Sequence, residues 1–276
     1  MQSPSNLRLA VINPAKQIIH QLEQQFLFSL FKPKGQLAQA IQGLWSAFVE
    51  AQQRAPLTRW LHADGCSGVL FNLGPPIRLE DKSYSSGVIV LPVNTTARSI
   101  TLSADTQLAG FRFNPGVSVG FFGKLVRRDA EDIDASLLKK LQLLHQSLVT
   151  TSGHNARIVL MYKWLQQHLG IHNCPPQLFK DAIELVEHAQ EIGLVSDELA
   201  LSQRKLERQF KALTGMTPKQ WQRTIRVKNT FMALKTQPDI ELAALAVNQG
   251  FSDQAHMTRE CKTIGKITPK QYLKLL

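Results

Sequence analysis

Arg208-Gln209-Phe210-Lys211 and Arg259-Glu260-Cys261-Lys262 match each other at an offset of 51 positions. The same offset aligns two further stretches, Thr217-Pro218-Lys219-Gln220-Trp221 and Thr268-Pro269-Lys270-Gln271-Tyr272. Two matches at one offset indicate an internal repeat, in which each copy is one supersecondary unit. The repeat therefore decides the fold of the C-terminal part of the chain.

Each copy contains an amphipathic segment that follows a serine. Ser202 precedes segment 203–213 and Ser252 precedes segment 253–264, so each serine can cap the helix after it. A short apolar helix and a tight turn come before each serine, which gives the order helix, turn, helix. Gly250 suits the positive φ angle that such a turn needs in the second copy.

The first copy has Ala200 at the place of Gly250, which is a weaker turn signal. Segment 219–234 has the pattern of a helix that joins the two units. Two units on one rigid helix would present their recognition helices to neighbouring major grooves, about 34 Å apart. The sequence thus predicts an all-α domain of two helix-turn-helix units with a linker helix.

Charge favours DNA as the partner of this domain. The chain of 276 residues has a formal net charge of +11, and segment 202–276 holds 14 Lys and Arg against 5 Asp and Glu. The first recognition helix sets an apolar edge against a charged edge, formed by Leu206, Phe210 and Leu213 and by Arg204, Glu207, Arg208 and Lys211. A helix of this kind fits the major groove, which is about 12 Å wide.

At these residues the chain resembles the AraC family of bacterial transcription regulators. The first family pattern is met by Ser202, Leu206, Arg208, Phe210, Lys211, Gly215, Thr217, Pro218, Trp221 and Arg226. The second is met by Leu245, Ala246, Gly250, Phe251, Ser252, Asp253, Arg259, Lys262, Thr268, Pro269 and Tyr272. The resemblance implies a cytoplasmic regulator that binds a specific double-stranded DNA operator and contacts RNA polymerase, more often as an activator than as a repressor.

The chain departs from the family pattern at a few positions. Cys261 stands where the family usually has Phe, and Lys266 where it usually has Gly, with Gly265 one place early. Val195-Ser196 replaces the usual Leu-Ala in the first unit. These departures bear on core packing and on where the second recognition helix ends.

The resemblance and side-chain chemistry together imply two sets of DNA contacts. Arginine suits guanine and glutamine suits adenine, whereas lysines near helix ends suit phosphates. Base contacts are expected from Arg204, Glu207, Arg208, Gln254, His256 and Arg259. Phosphate contacts are expected from Ser202, Lys211, Lys219, Ser252, Lys262 and Lys270.

Some of these residues have a second interpretation. Arg208 and Arg259 could be solvated surface charges, and Glu207 could pair with Lys211 one turn away instead of accepting from a cytosine amine. His256 could contact a base, a phosphate or neither. The aromatic residues of the repeat, Trp221 and Tyr272, are interpreted as core anchors.

The N-terminal half has a different pattern. Between positions 37 and 128, short apolar runs alternate with turn formers, which predicts the strands of a small barrel or sandwich. Helical spacing is seen at 12–30, 37–50, 134–148 and 156–169. The apolar faces of the last two helices must be covered by the barrel, by each other or by a second chain, so a homodimer is one alternative.

Three domains are expected within an α+β chain. They are an N-terminal helical extension at 1–36, a cupin-like sensor or dimerisation domain at 37–174, and the double helix-turn-helix domain at 175–276. The boundary is predicted at Gly170–Gln177, where Pro175-Pro176 cannot continue a helix.

The N-terminal half resembles the cupin-like sensor domains of the AraC family at segments 60–74 and 110–116. A small-molecule effector would fit such a domain. His62, Asp64 and Arg112 are the candidate ligand-binding residues, although Asp64-Gly65 is also a common turn pair.

Other function classes find less support in the sequence. The main alternative is an enzyme or a small-molecule-binding cupin with an accessory DNA-binding domain, and a non-specific architectural DNA binder is a further one. No cofactor or metal is expected: His168, His172 and Cys174 have a zinc-like spacing, but Gly170 and the proline pair interrupt it. We expect no secretion leader, no membrane span and no disulfide framework from three dispersed cysteines.

Overall fold

Nine strands form the N-terminal domain in the computed structural model, which describes residues 26–53, 55–127, 133–188 and 191–276. They are β1 (Phe26–Phe31), β2 (Ile41–Val49), β3 (Leu57–Leu61), β4 (Gly68–Asn72), β5 (Ile77–Leu79), β6 (Lys82–Tyr84), β7 (Gly87–Leu91), β8 (Arg98–Leu102) and β9 (Gln107–Phe113). All pairings are antiparallel, in a five-stranded sheet ordered β1-β2-β9-β4-β7 and a four-stranded sheet ordered β3-β8-β5-β6. The predicted barrel or sandwich is confirmed.

Two of the helical segments expected near the N-terminus are wrong where the structure describes them. Phe26–Leu30 lies in β1, and segment 37–50 holds a short 3-10 turn followed by β2. β2 is buried on both faces, between the other sheet and the outer helices, so its apolar residues do not alternate. The spacing of apolar residues alone does not distinguish a strand that is covered on both faces from a buried helix. The described part of the expected helical extension, 26–36, therefore contains no α-helix, only β1 and the start of the 3-10 turn at Gly35–Gln39, and residues 1–25 lie outside the described residues.

Three helices pack on the outside of the five-stranded sheet or close to its end: α1 (Val117–Phe122), α2 (Ala135–Thr150) and α3 (His154–His168). Leu141, Leu144 and Leu148 of α2 and Met161 and Leu165 of α3 are buried in one core with the sheet. The barrel itself therefore covers the main apolar faces of both helices. Leu143, Val149 and Val159 remain exposed on the outside.

The C-terminal part is all-α in the described residues. It contains α4 (Gln177–His188), α5 (Ile192–Glu198), α6 (Gln203–Thr214), α7 (Pro218–Thr236), α8 (Leu242–Asn248), α9 (Gln254–Gly265) and α10 (Pro269–Leu273). The predicted recognition helices are α6 and α9, and the predicted linker helix is α7. The expected α+β fold class, with two helix-turn-helix units after a β-rich domain, is confirmed.

The turns of the two units have the same backbone conformation despite their different residues. Ala200 has φ +51° and Gly250 has φ +73°, so the alanine adopts the left-handed conformation that the glycine adopts more easily. Within each unit the short helix and the recognition helix bury their facing sides: Val195, Leu206 and Phe210 in the first, and Leu245, Met257 and Cys261 in the second.

Candidate nucleic-acid interface and effector cavity

The first recognition helix, α6, presents its charged edge to solvent. Ser202 caps the helix, because its Oγ accepts a hydrogen bond from the Lys205 N–H at 3.3 Å. Leu206 and Phe210 are fully buried on the opposite edge. The exposed residues of the helix include four of those proposed from sequence to contact DNA: Arg204, Glu207, Arg208 and Lys211.

The second recognition helix, α9, begins one residue later than its serine suggests. Asp253 caps the helix through a hydrogen bond from the His256 N–H to its Oδ1 at 2.6 Å, so the expected cap at Ser252 is wrong. That hydrogen bond lowers the pKa of Asp253 below its ordinary value. Ser252 instead bonds through Oγ to His256 Nδ1 at 3.0 Å.

The side chain of His256 lies back on the first turn of α9. Besides its bond to Ser252, its ring meets Phe251 edge-on at 5.4 Å between centroids. Gln254 is half-buried, while Arg259 and Lys262 are exposed on the same helix. This helix thus also has a polar outer edge over a buried inner one.

The linker helix α7 joins both units through large buried side chains. Trp221 is buried beside Phe210, and its Nε1 donates to Glu187 Oε1 at 3.2 Å. Burial raises the pKa of Glu187 above its ordinary value. Tyr272, half-buried, packs on Phe231 at 4.8 Å between ring centroids. The interpretation of Trp221 and Tyr272 as core residues agrees with these contacts.

A cavity of about 530 Å³ lies between the strands of the barrel and α7. Its wall is mainly apolar, with Trp45, Ala47, Leu61, Leu70, Leu91, Ile100, Leu102 and Leu108 from the strands. His62, Asp64 and Arg112, the three residues proposed from sequence, all border it. Lys228, Phe231, Met232 and Tyr272 of the C-terminal domain complete the wall, so one cavity touches both domains.

Asp64 and Arg112 form a buried ion pair at this cavity. Arg112 Nη2 donates to Asp64 Oδ1 and, at 2.9 Å, to the carbonyl oxygen of Cys66. Asp64 Oδ1 also accepts from the Cys66 N–H at 3.0 Å, so the residue belongs to a turn as well. Both interpretations of Asp64, cavity residue and turn former, describe the structure.

The turn after β3 is also the place where the two domains meet. Gly65 has φ +67° and lies so close to Trp221 that a Cβ atom would stand 2.1 Å from the indole ring. The ring of His62 lies 5.9 Å from that of Phe231, and the Ala97 N–H donates to the carbonyl oxygen of Ile264 at 2.7 Å. The N-terminal domain thus contacts the linker helix and the end of the second recognition helix.

Sequence reasoning did not find the residues that α7 contributes to the cavity. Lys228, Phe231 and Met232 lie in what the sequence presents only as a linker helix, and Met232 is exposed. The available signal in the sequence was Met232, an apolar residue with the polar residues Lys228, Asn229, Lys235 and Thr236 around it at helical spacing.

In the described ranges, no group of three or more His, Cys, Asp or Glu side chains is placed to hold a metal ion. None of the helices within those ranges combines the length and the apolar character that crossing a membrane requires.

Two family models match separate parts of the chain. Residues 195–275 match the model of a family described as a helix-turn-helix domain, and residues 29–129 match a domain of unknown function, DUF6597. The bifunctional transcriptional activator/DNA repair enzyme Ada of Escherichia coli (strain K12) is 33% identical over 93 residues. Those residues are 33% of this chain and lie in its DNA-binding region, and they span only 26% of the length of Ada.

Solved structures of similar shape include ToxT from Vibrio cholerae, with 12% identity and a TM-score of 0.49 over 91% of this chain and 99% of that one. The unsaturated fatty acid bound wild-type ToxT of strain SCE256 is 13% identical, with a TM-score of 0.44 over 91% of this chain and 95% of that one.

Proposed function

We propose that this chain, whose residues 195–275 form an AraC-type helix-turn-helix domain, is a sequence-specific bacterial transcription regulator. The observation that carries the proposal is the pair of exposed, basic recognition helices, α6 and α9, held at the same register of a repeat by one linker helix. Matched recognition helices suit base readout at two half-sites. Because Ada is described as a transcriptional activator, we propose that this chain activates transcription. We also propose that it contacts RNA polymerase.

The proposed DNA contacts come from the two recognition helices, the serines before them and the starts of the helices that follow them. Arg204, Glu207 and Arg208 of α6 and Gln254, His256 and Arg259 of α9 would meet base edges. Ser202, Lys211, Lys219, Ser252, Lys262 and Lys270 would meet phosphates, which fix the register without reading sequence. Such a regulator would work in the cytoplasm, where a bacterium keeps its DNA.

The cavity is the proposed effector site. Its volume of about 530 Å³ falls in the range of small-molecule pockets, about 300–1,000 Å³. An apolar wall with His62, Asp64, Arg112 and Lys228 at its border suits an effector that is largely apolar and carries a polar group. Since α7 forms part of the wall, such an effector would touch the DNA-binding domain directly.

The DNA proposal is tested by salt titration. A duplex selected by the full chain from a random library is compared with a scrambled duplex, for the wild type and for Arg208→Ala, Arg259→Ala and Lys262→Ala. We expect each arginine variant to lose about 1–3 kcal/mol of discrimination at its own half-site. Lys262→Ala should weaken binding to both duplexes alike and reduce the salt slope by about one.

Lys139→Ala, at an exposed position of α2 far from the repeat in sequence, is the matched control and should change neither quantity. The proposal fails if the wild type does not distinguish the selected duplex from the scrambled one. If the arginine variants lose affinity equally on both duplexes, the assignment of these arginines to base contacts is wrong and an architectural role gains support.

A homodimer also remains a proposal. The exposed Leu143, Val149 and Val159 on the outer side of α2 and α3 support it. Sedimentation of the full chain, with Leu143→Lys for comparison, measures the oligomeric state directly.

A further inference from the structure

The second recognition helix is fixed to the linker helix by a bidentate ion pair. Arg223 of α7 donates from Nε to Glu260 Oε2 at 2.7 Å and from Nη2 to Glu260 Oε1 at 2.8 Å. The Glu260 side chain is 14% exposed and that of Arg223 41% exposed, so the pair lies at the edge of the helix contact. The hydrogen bonds from Arg223 also hold the pKa of Glu260 below its ordinary value.

A second arginine on the same helix holds the turn before α9. Arg226, one turn after Arg223, donates from Nη1 to the carbonyl oxygen of Gly250 at 2.9 Å, and its guanidinium lies 5.3 Å from the centre of the Phe251 ring. Apolar contacts complete the attachment, since Met257 and Cys261 are buried in one core with Phe231. Both parts of the second unit are thus tied to α7.

The first unit lacks the ion pair. At the repeat offset of 51, the uncharged Gln209 takes the place of Glu260. Gln209 Oε1 is a buried atom without a hydrogen-bond partner in the described residues. The attachment of α6 depends on aromatic packing instead, with Phe210 against Phe179 at 5.3 Å and Trp221 at 6.4 Å between ring centroids.

These two attachments differ in what they fix. Apolar packing sets the distance between helices but allows some rotation about the helix axis, whereas two parallel charge-assisted hydrogen bonds also have a preferred direction. Arg259, the exposed neighbour of Glu260, turns with the helix. A base-reading side chain needs its supporting helix held within about 10–20°.

Resting on the proposed function, we infer that Arg223 and Glu260 are positioning residues that set the spacing and phase of the two DNA half-sites. Inserting one base pair between half-sites moves the second by about 3.4 Å and turns it by about 34°. A helix held by the ion pair cannot follow that rotation. A helix without it follows more easily, and the chain then tolerates altered spacings.

The test measures the dissociation constants of the full chain for a duplex selected from a random library and for the same duplex with one base pair inserted or removed between its half-sites. The ratio of the two constants is the spacing discrimination. Glu260→Gln keeps the size of the side chain and removes its charge. We expect it to reduce the spacing discrimination about fivefold, and the charge-reversed double variant Arg223→Glu with Glu260→Arg to restore it to within about twofold.

Arg223→Lys, which keeps the charge but cannot form the bidentate pair, serves if Glu260→Gln does not fold, with the same expected reduction. Glu80→Gln, which removes the carboxylate partner of Arg98 in the sensor domain, is the matched control and should leave the discrimination unchanged. A purely structural role would lower affinity for all spacings by one factor.

The inference is overturned if the discrimination of the single variants equals that of the wild type, or if the reversed pair fails to restore it. Failure of the proposed function looks different, because the wild type itself would then not distinguish the selected duplex from a scrambled one.

Discussion

Lys266 ends the second recognition helix in a left-handed conformation, with φ +60°. The left-handed backbone conformation costs a lysine about 1 kcal/mol or more, whereas a glycine adopts it without this cost. We therefore expect Lys266→Gly to raise the free energy of unfolding by about 1 kcal/mol in urea titrations. Lys262→Gly, inside the same helix, should lower it by a similar amount. A destabilised Lys266→Gly protein would contradict this account of the helix end.

Gly265, one place before Lys266, has a different reason to be glycine. A Cβ atom there would stand 2.4 Å from Cε2 of Phe231 on α7. We expect Gly265→Ala to destabilise the chain by about 1–3 kcal/mol through overpacking, measured in the same titration. Phe231→Leu should recover part of the loss by making room, and an unchanged stability of Gly265→Ala would refute the close approach.

These two residues also show where sequence reasoning stops. The displaced glycine was visible as a departure from a family pattern, but its cause, the approach of α9 to Phe231, is a tertiary contact. His62, Asp64 and Arg112 could be proposed as ligand residues because they lie in the two segments that resemble the family's cupin-like domains. Lys228 could not, since nothing in a linker helix indicates that it borders a cavity of another domain.

At the scale of elements, periodicity worked for the helices that have one buried and one exposed face. The helices α2, α3, α6, α7 and α9 were predicted within a few residues of their bounds. It failed for β2, which is buried on both faces. The pairing of β1 at the sheet edge was equally out of reach, because strand neighbours are set by contacts between distant segments.

The turn between β3 and β4 is the element that joins the domains, and two glycines allow its effect to be isolated. Gly65 and Gly35 have nearly the same φ, +67° and +64°. A Cβ atom added to Gly65 would lie against the ring of Trp221, whereas one added to Gly35 would have no atom within 4 Å. Alanine at either site would destabilise the folded chain by about 1 kcal/mol through backbone strain. Gly65→Ala should also push the turn away from Trp221, and we expect faster cleavage in limited proteolysis between the domains.

Gly35→Ala is the matched control for this experiment and should be cleaved at the wild-type rate. Equal rates for the two variants would mean that the turn does not hold the domains together. Tryptophan fluorescence gives a second measurement, because displacement of the turn changes the surroundings of Trp221.

At the scale of the whole molecule, the cavity joins two domains that sequence patterns treat as separate. An apolar fluorescent dye should bind the full chain at one site, and its binding should raise the melting temperature of both domains together, because both contribute to the wall. Leu61→Trp, which places bulk in the cavity, should reduce dye binding. Leu143→Trp, on the exposed side of α2, is the control. Stabilisation of one domain only would contradict a shared site.

The contact between Ala97 and Ile264 has a consequence for building chimaeric regulators. It is a hydrogen bond between main-chain atoms, so neither side chain records that it exists. An alignment used to choose a junction would not show it, and a foreign sensor grafted at the proline pair would arrive without a partner for that carbonyl oxygen. A successful graft must therefore carry over the shape of the segments around Gly65 and Ala97, whatever residues they contain.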